Sequence, residues 1–440
     1  MNTVLIEPTD LLFFRDAIPM SAGQGKGAGC RMPFPSTLHE AFRACLLREQ
    51  GEIGLTKSVP GRPRHAPRKG NWHGESEATD VQIASKSFRS LRTIGPLPWH
   101  TQHGLLLPVP MESMFGPQRG SLHRLQLWRD DSVRCPQVVP HPADYRPPCL
   151  PMAVTPPDKH GQLNGWWTVD QMRRYLDGDS DNAKEAFEPL PTSKLWKAEQ
   201  HVGVEIEPGS FAAKPHRLYG GSHLRANRET RFWVQLQLGD ERAEANGEGK
   251  AISGLNWLLL GGEFRLARLW QHDPTGRPPP NYVAPLKPVP TPPPGDGPCL
   301  LKWMLVTPAI FAHGSLPGWC ADTRQDRVGG SLPVGRVCFE LPGRAQIISW
   351  CLGKPRVVSG WDVVEGRAKP TLLAVPEGGV YYFLCENRAT AGALAKTLHW
   401  QPRSDFYGEK GCGYGLTSFD VQMQPTSADV AKLAGELFNC

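Results

Sequence analysis

Two histidines, a tyrosine and an arginine lie close together near the middle of the chain. His216 and His223 flank Tyr219 and precede Arg225. An imidazole exchanges protons near neutral pH, so this group could cleave RNA by general acid–base catalysis. The same residue types also form binding surfaces, on which a ring stacks on a base and a guanidinium contacts a phosphate. From these residues alone, both the catalytic and the binding interpretation stay open.

A second candidate site is the glycine-rich segment Tyr407–Gly415. Its residues of interest are Lys410, Gly411, Gly413, Tyr414 and Gly415. Glycines without a Cβ can bring backbone N–H groups close to a phosphate, and Lys410 adds charge while Tyr414 adds a ring for a base. On this hypothesis valine at Gly413 and Gly415 abolishes RNA binding and leaves the fold intact. The alternative is a flexible turn without a ligand.

Glycines also alternate with other residues between Gly23 and Gly29, with Lys26 among them. This segment lies between a predicted strand and a predicted helix, where phosphate-binding loops occur. A P-loop must end in Gly-Lys-Ser/Thr, whereas Gly29 is followed by Cys30 and Arg31. The sequence therefore disfavours an ATPase. The later glycine segment precedes a strand, so it does not fit the dinucleotide-binding fingerprint either.

The sequence lacks the other common catalytic and metal-binding patterns. It contains no HExxH motif, no G-x-S-x-G motif and no clustered carboxylates of the two-metal nuclease type. The 11 cysteines form no CxxC pair, so neither a zinc site nor a disulfide framework is expected. We therefore expect no catalytic residue, no cofactor and no metal ion.

Charge and hydropathy indicate the kind of partner and the compartment. The net charge of +6 suits a nucleic-acid partner. The basic segment Lys57–Lys69, which contains no acidic residue, is either a solvated insertion or an arm that contacts RNA. The N-terminus lacks the basic region of a signal peptide, and no apolar run approaches the ~20 residues that span a bilayer. We expect a cytoplasmic protein that does not bind membranes.

Hydrophobic periodicity predicts the elements that position these residues. In the first half it predicts a strand over Thr3–Phe14, a helix after Pro35 that Ser36 or Thr37 caps, and a half-buried strand over 232–238. The strands predicted in the second half are Leu300–Val306, Ala345–Leu352, Val380–Leu384 and Leu416–Gln422, and the helices are Arg388–Leu398 and Ala428–Phe438. The glycine segment 407–415 falls between the predicted helix Arg388–Leu398 and the predicted strand Leu416–Gln422.

A proline-rich stretch over 274–298 separates two halves with the same scheme. We therefore predict an α+β protein with domains over 1–273 and 299–440 and a connector over 274–298. Strands that return around helices suit ferredoxin-like (RRM-like) domains with long loops and insertions, although periodicity does not fix the strand order.

Several motifs in a fixed order resemble one protein family. They are Ile6-Glu-Pro8, Leu12-Phe-Phe-Arg-Asp16, Pro35-Ser-Thr-Leu38, Ile94-Gly-Pro96, Leu107-Pro-Val-Pro110, Val202–Ile206, Leu218-Tyr219, Arg225, Gly261-Gly-Glu263, Leu305–Phe311, Gly360-Trp-Asp362, Lys369-Pro370, Val375-Pro376, Val380–Phe383 and the glycine segment. Together they resemble the RAMP-superfamily subunit of type III-B (Cmr) CRISPR effectors that holds the 5′ handle of the guide RNA. The sequence departs from the pattern at Gly379 and after Phe311.

The resemblance implies two ferredoxin-like domains and a non-catalytic subunit that caps one end of the effector. Such a subunit grips the 5′ repeat-derived handle of the guide RNA, docks beside the large polymerase-like subunit and the RAMP backbone subunit, and meets target RNA only indirectly. The implied RNA contacts are Arg15, Lys26, Ser36, His216, Tyr219, Arg225, Lys410, Gly411, Gly413, Tyr414 and Gly415. Ser36 is equally well explained as a helix cap. The alternative function is a RAMP-type guide-processing endoribonuclease that uses His216 or His223.

Overall fold

The computed structural model describes residues 2–14, 26–27, 32–50, 88, 90–115, 122–129, 147–153, 163–178, 187–238, 248–263, 265–271, 283–320, 334–359, 361–362, 367–368, 370–424 and 427–438. In this part of the chain the helices are α1 (Pro35–Glu49), α2 (Val169–Leu176), α3 (Thr192–Leu195), α4 (Glu248–Gly254), α5 (Arg388–Leu398) and α6 (Ser427–Phe438), with a 3₁₀ turn over Ala284–Leu286. The basic segment Lys57–Lys69 lies outside the described residues.

The strands of the described residues before the proline-rich stretch are β1 (Asn2–Pro8), β2 (Lys26–Gly27), β3 (Leu91–His100), β4 (Gly104–Pro108), β5 (Ser113–Phe115), β6 (Leu122–Arg124), β7 (Gln126–Arg129), β8 (Cys149–Met152), β9 (Trp166–Thr168), β10 (Trp196–Ile206), β11 (Ala213–Ala226), β12 (Thr230–Leu238), β13 (Trp257–Leu259) and β14 (Leu266–Trp270). Those after it are β15 (Cys299–Leu305), β16 (Ala345–Cys351), β17 (Arg356–Val358), β18 (Trp361–Asp362), β19 (Arg367–Ala368), β20 (Leu372–Ala374), β21 (Val380–Cys385), β22 (Gly415–Ser418) and β23 (Met423–Gln424). The chain is therefore α+β, as the sequence predicts.

Two antiparallel sheets share one strand order. The larger has the order β13-β14-β1-β12-β3-β4-β9, and the other has the order β16-β21-β15-β22. Four neighbouring strands of the first sheet are, in chain order, β1, β3, β12 and β14. When they are numbered one to four in that order, their arrangement in the sheet is fourth, first, third, second. The four strands of the second sheet, numbered in the same way and read from β22 to β16, have the same arrangement. Four neighbouring strands of the first sheet therefore have the same order as the four strands of the second.

Strand β12 is buried on both faces, whereas its alternating pattern predicts burial on one. Phe232 and Val234 pack into the core beneath α1 and α4. Trp233 belongs to a second core, which it shares with Met304 and Tyr382 of the other sheet. The prediction of a half-buried strand is wrong because the second sheet covers the face that should have met solvent.

Several element boundaries follow from local chemistry. Helix α5 spans the predicted residues, and the Asn387 side chain caps it by accepting a hydrogen bond from the Thr390 backbone N–H. The predicted cap of α1 is wrong, because its N-cap is Phe34, without a side-chain hydrogen bond, and Pro35 begins the helix. Ser36 therefore does not cap it. Strand β1 ends at Pro8 and β22 at Ser418, so both are shorter than predicted.

The C-terminal end of the chain returns to the first half. Strand β23 pairs in parallel with β7, and the Ser418 hydroxyl donates to the Leu176 carbonyl oxygen at the end of α2. Helix α6 places Leu433 and Phe438 in the core that the two sheets share. The two sheets are therefore joined both by their facing side chains and by the last strand and helix.

His39 of α1 gives the fold a pH dependence. It is buried at 5% exposure, and its ring hydrogen-bonds with Thr93. Burial, with Lys410 and Arg43 nearby, lowers its pKa from 6.5 to about 3 although the Glu40 carboxylate opposes the shift. The folded pKa is depressed, so the unfolded chain takes up the proton first. This contribution to stability is present above pH 6.5 and is lost as pH falls toward 3.

We expect the free energy of unfolding to decrease between pH 6.5 and 5 by up to about 1.4 kcal/mol per pH unit from His39. Urea unfolding of the wild type and of His39→Gln at several pH values in this window measures the effect. The variant should show the shallower pH dependence. Equal slopes in both proteins would show that His39 is not the titrating group.

Candidate functional site

A long β-hairpin made by β10 and β11 carries the residues on which the catalytic and binding interpretations depend. The strands pair from Trp196 opposite Ala226 to Val204 opposite Leu218, with an irregularity before Ile206. In most of the hairpin both strands are exposed, and the turn between them places Phe211 83% in solvent. The hairpin therefore presents most of its side chains to solvent rather than to the chain's own core.

One face of the hairpin is apolar. Val202, Val204, Ile206 and Leu218 are between 36% and 73% exposed. Side chains alternate between faces along a strand, so Val204 and its cross-strand partner Leu218 lie on the same side as Val202. In the sequence, the segment Val202–Ile206 contributed only to the family resemblance. Its strict alternation of apolar residues with other residues is the local signal that predicts this surface.

The other face carries Tyr219. A Cβ at Gly203 would lie 2.2 Å from the Tyr219 ring, so the ring lies directly across the Gly203 backbone. Tyr219 is 39% exposed. Any side chain at position 203 would displace the ring, which explains why this position suits glycine. Tyr219 thus has an accessible ring held against a strand, an arrangement that can stack on a base.

Carboxylates accompany the cations of this face. Glu205 pairs with Lys214 at 2.6 Å and lies 3.8 Å from Arg217. The hydrogen bond from Lys214 lowers the pKa of Glu205. Further down the hairpin Arg225 binds Glu199 and lies 3.6 Å from Asp10. Arg225, predicted as an RNA contact, is therefore already paired with carboxylates.

Glu199 is the centre of the charged group at the base of the hairpin. Hydrogen bonds from Arg225 and then His201 lower its pKa to about 2. Glu199 is therefore ionised at any physiological pH. An RNA phosphate that approaches Arg225 has to displace this carboxylate or bind beside it.

The two histidines of the hairpin do not form one catalytic site. His223 is 4% exposed, stacks on Phe13 with ring centroids 4.7 Å apart, and lies 3.3 Å from Glu263. His216 is exposed and has a φ of +59°. They are seven positions apart along β11, about 23 Å of extended strand. They therefore cannot act as the acid and base of one cleavage step.

The first glycine segment reaches the same hairpin. Strand β2 pairs in parallel with β11, and the backbone of Lys26 lies opposite Gly220. Gly220 directly follows Tyr219 in the sequence. Arg15 lies outside the described residues. The fold thus places the backbone of Lys26 beside the strand that carries Tyr219.

The second glycine segment is packed between the two sheets. Gly413 has a φ of +77°, and a Cβ there would lie 2.2 Å from the Ser404 nitrogen. A Cβ at Gly415 would lie 2.2 Å from Trp303 Nε1, and one at Gly411 2.7 Å from the Gly95 carbonyl oxygen. Protein atoms therefore fill the space where a Cβ would lie at each of these three positions, so close packing explains why glycine stands there.

Tyr414 and Lys410 are also held by the protein itself. Tyr414 is 6% exposed, and its N–H donates to the Thr307 hydroxyl. A base cannot stack on it in this conformation. Lys410 pairs with Glu40 of α1. Burial alone would lower the pKa of Lys410, but the Glu40 and Glu409 carboxylates raise it above its usual value. Lys410 thus holds the segment against α1 at Glu40, about one helical turn after the half-buried Ser36.

The described residues offer no alternative site for metal chemistry. No group of three or more His, Cys, Asp or Glu side chains in this part of the chain lies close enough to hold a metal ion. Among the same residues no helix is long and apolar enough to cross a membrane. The hairpin, with the Lys26 backbone beside it, is therefore the candidate interface.

Comparison with known proteins identifies related sequences and structures. Residues 4–418 match the family model described as CRISPR-associated protein (Cas_Cmr3). No curated protein matches the chain. Among solved structures, a chain of the type III-B Cmr-beta complex bound to cognate target RNA and AMPPnP is 14% identical, with 88% of this chain and 86% of that chain covered and a TM-score of 0.42. A chain of the Csm3–Csm4 subcomplex of the type III-A CRISPR-Cas interference complex is 10% identical, with 87% and 92% covered and a TM-score of 0.32.

Proposed function

Because this chain belongs to the Cmr3 family of CRISPR-associated proteins, we propose that it is the type III-B effector subunit that grips the 5′ handle of the guide RNA without cutting it. The observation that carries the proposal is the exposed hairpin of β10 and β11, with the Tyr219 ring displayed over Gly203. In this role the chain is a binding and scaffold subunit, and the chemistry of the effector belongs to other subunits.

We also infer that each sheet belongs to a ferredoxin-like domain. The support is the strand order fourth, first, third, second in both sheets, together with antiparallel pairing throughout these strands. In the first half α1 follows the first strand and α4 follows the third. In the second half α5 follows the third strand, which matches the second helix of the β-α-β-β-α-β pattern. The domain division at 274–298 belongs to this proposal.

The grip works by stacking and by exchange of ion pairs. A handle base stacks on the exposed face of Tyr219, a contact worth roughly 1–3 kcal/mol. Lys214, Arg217 and Arg225 line the same hairpin and are paired with Glu205, Glu199 and Asp10 in the free chain. Phosphates compete with these carboxylates for the cations, so binding weakens with salt. The buried glycine segment supports the site by fixing the two sheets and does not touch the RNA.

The apolar face of the hairpin suits a protein neighbour. The exposed Val202, Ile206 and Leu218 side chains, with Phe211 at the tip, offer a surface that a subunit of the effector can cover. The proposed neighbours are the large polymerase-like subunit and the RAMP backbone subunit, as the family implies. Target RNA is then contacted only indirectly.

We expect Tyr219→Ala to weaken handle binding roughly tenfold, because one base loses its stacking partner. Tyr219→Phe keeps the ring and serves as the matched control, with affinity close to that of the wild type. The assay titrates the full chain against labelled handle RNA in metal-free buffer and then resolves the RNA on a gel. Intact RNA with the expected order of affinities supports the proposal. Site-specific cleavage that is lost in His216→Ala or His223→Ala would instead establish an endoribonuclease.

A further inference from the structure

A row of tryptophan and arginine side chains crosses the first sheet away from the hairpin turn. Trp257 of β13 is paired with Arg268 of β14, and Arg268 with Glu7 of β1. Arg231 of β12 lies 3.3 Å from Glu7 and is paired with Trp99 of β3. We call these five residues, together with Trp270 of β14, the Trp/Arg row. It runs across five neighbouring strands, a width of roughly 19 Å.

The row lies on the sheet face that the helices do not cover. Leu258 and Ala267 are fully buried in the core beneath α1 and α4. Their neighbours Trp257 and Arg268 therefore point to the opposite face, because side chains alternate along a strand. The second sheet covers this face near Trp233. At the outer end of the row Trp257 remains 47% exposed, an unusual position for so large a ring.

Rings and guanidinium groups alternate along the row. The Arg268 guanidinium carbon lies 3.9 Å from the Trp270 ring centroid, and that of Arg231 lies 5.5 Å from Trp99 and 5.7 Å from Trp270. The Glu7 carboxylate pairs with Arg231 and accepts a hydrogen bond from the Trp270 indole N–H. Within the described residues Arg268 has no carboxylate partner. Arg268 is exposed, and it is the cross-strand partner of Trp257, so an anion can reach its guanidinium from the side of the sheet on which the open Trp257 ring lies.

We propose that the Trp/Arg row is a second binding surface for single-stranded RNA, with a base stacked on Trp257 and a phosphate held by Arg268. Paired residues on adjacent strands have Cβ atoms about 5 Å apart, so one nucleotide can reach both side chains. A planar guanidinium matches a phosphate bidentately, and a tryptophan ring accepts any base. The two arginines outnumber the single carboxylate, which favours an anionic partner.

The position of the row suits a continuous path for RNA. Asp10, which faces Arg225 at the base of the hairpin, is three residues along the chain from Glu7, about 10 Å in an extended segment. An RNA strand that leaves the hairpin can therefore reach the row within a few nucleotides. The row itself stands apart from the hairpin residues, so its RNA contacts add to handle recognition and do not depend on it.

The test uses the full chain and a labelled uridine decamer, which contains no handle sequence. We expect Trp257→Ala and Arg268→Ala each to weaken decamer binding roughly tenfold. Arg268→Ala should also reduce the salt dependence of log K by about 0.7. Trp128→Ala is the matched control, because Trp128 is 44% exposed on the separate small sheet of β7. It should bind as the wild type does. Trp257→Phe keeps a ring and should retain most of the affinity.

Three results would overturn this proposal. They are no decamer binding by the wild type, unchanged binding by both row variants, and an equal loss in Trp128→Ala. If the row variants instead weaken association with another effector subunit and leave RNA affinity unchanged, the row is a protein-docking surface. The Tyr219→Ala variant separates the two proposals. It should lose handle recognition but still bind the decamer, and Trp257→Ala should weaken decamer binding in this variant as it does in the wild type.

Discussion

Glu112→Gln is expected to lower the free energy of unfolding by about 3–5 kcal/mol. Glu112 and Lys302 are each 1% exposed and form an ion pair at 2.7 Å between the two halves of the chain. The hydroxyls of Tyr175 and Tyr382 both donate to the same carboxylate. Glutamine keeps the size of the side chain but leaves the Lys302 ammonium buried without a counter-charge. A buried charge without its partner strongly destabilises the folded protein. Urea unfolding followed by circular dichroism measures the loss.

The ionisation of this pair supports that expectation. Burial alone would raise the pKa of Glu112, but the Lys302 charge and the hydrogen bonds from Lys302, Tyr175 and Tyr382 lower it. The carboxylate is therefore charged when the sheets pack together. Glu112→Leu combined with Lys302→Met is the matched control, because removal of both charges leaves no ion without a partner. It should be clearly more stable than Glu112→Gln. A loss below about 1 kcal/mol in Glu112→Gln would contradict the account.

Gly413→Val is expected to destabilise the chain by at least about 3 kcal/mol, from backbone strain and overpacking together. At a φ of +77° a β-branched residue is strongly disfavoured. The added Cβ would also lie 2.2 Å from the Ser404 nitrogen. The segment cannot shift freely, since the Gly413 N–H donates to the Pro308 carbonyl oxygen and its own carbonyl accepts from the Arg403 N–H. Thermal and urea unfolding measure the effect.

Gly297→Val is the matched control for this substitution. A Cβ at Gly297 has no atom within 4 Å, and its φ is not in the left-handed region. It should leave the stability within about 0.5 kcal/mol of the wild type. If Gly413→Val instead folds as stably as the control and has lost RNA binding, the segment is an RNA contact, as the sequence alone suggested.

Local patterns predicted the elements that depend on local chemistry. Helix α5 begins and ends where its alanine-rich run does, because Asn387 supplies the cap beside it. Strands β15 and β21 follow from short apolar runs and lie within one residue of the predicted bounds. The position of the glycine segment between α5 and β22 was also predicted. In each case the determining residues are close in sequence.

What the sequence could not predict depends on contacts between distant residues. The glycine segment is covered by Thr93 and Gly95, more than 300 positions earlier, so its burial left no local signal. Lys302 stands within an apolar strand, which indicates a buried partner, but nothing near it points to Glu112. His216 and His223 are close in sequence, yet an extended strand separates them. Spacing alone therefore left open a catalytic role for His216 or His223, and the hairpin does not bring the two side chains together.

Handle recognition is the central claim, and affinity for two guide RNAs tests it most directly. One guide carries the intact 5′ handle, and the other has the same length and composition with the handle sequence scrambled. The full chain should bind the intact guide at least about tenfold more tightly, a difference of ~1.4 kcal/mol, and should leave both guides uncut. In Tyr219→Ala most of this preference should disappear. Equal affinity of the wild type for the two guides, or cleavage of the intact handle, would contradict the account.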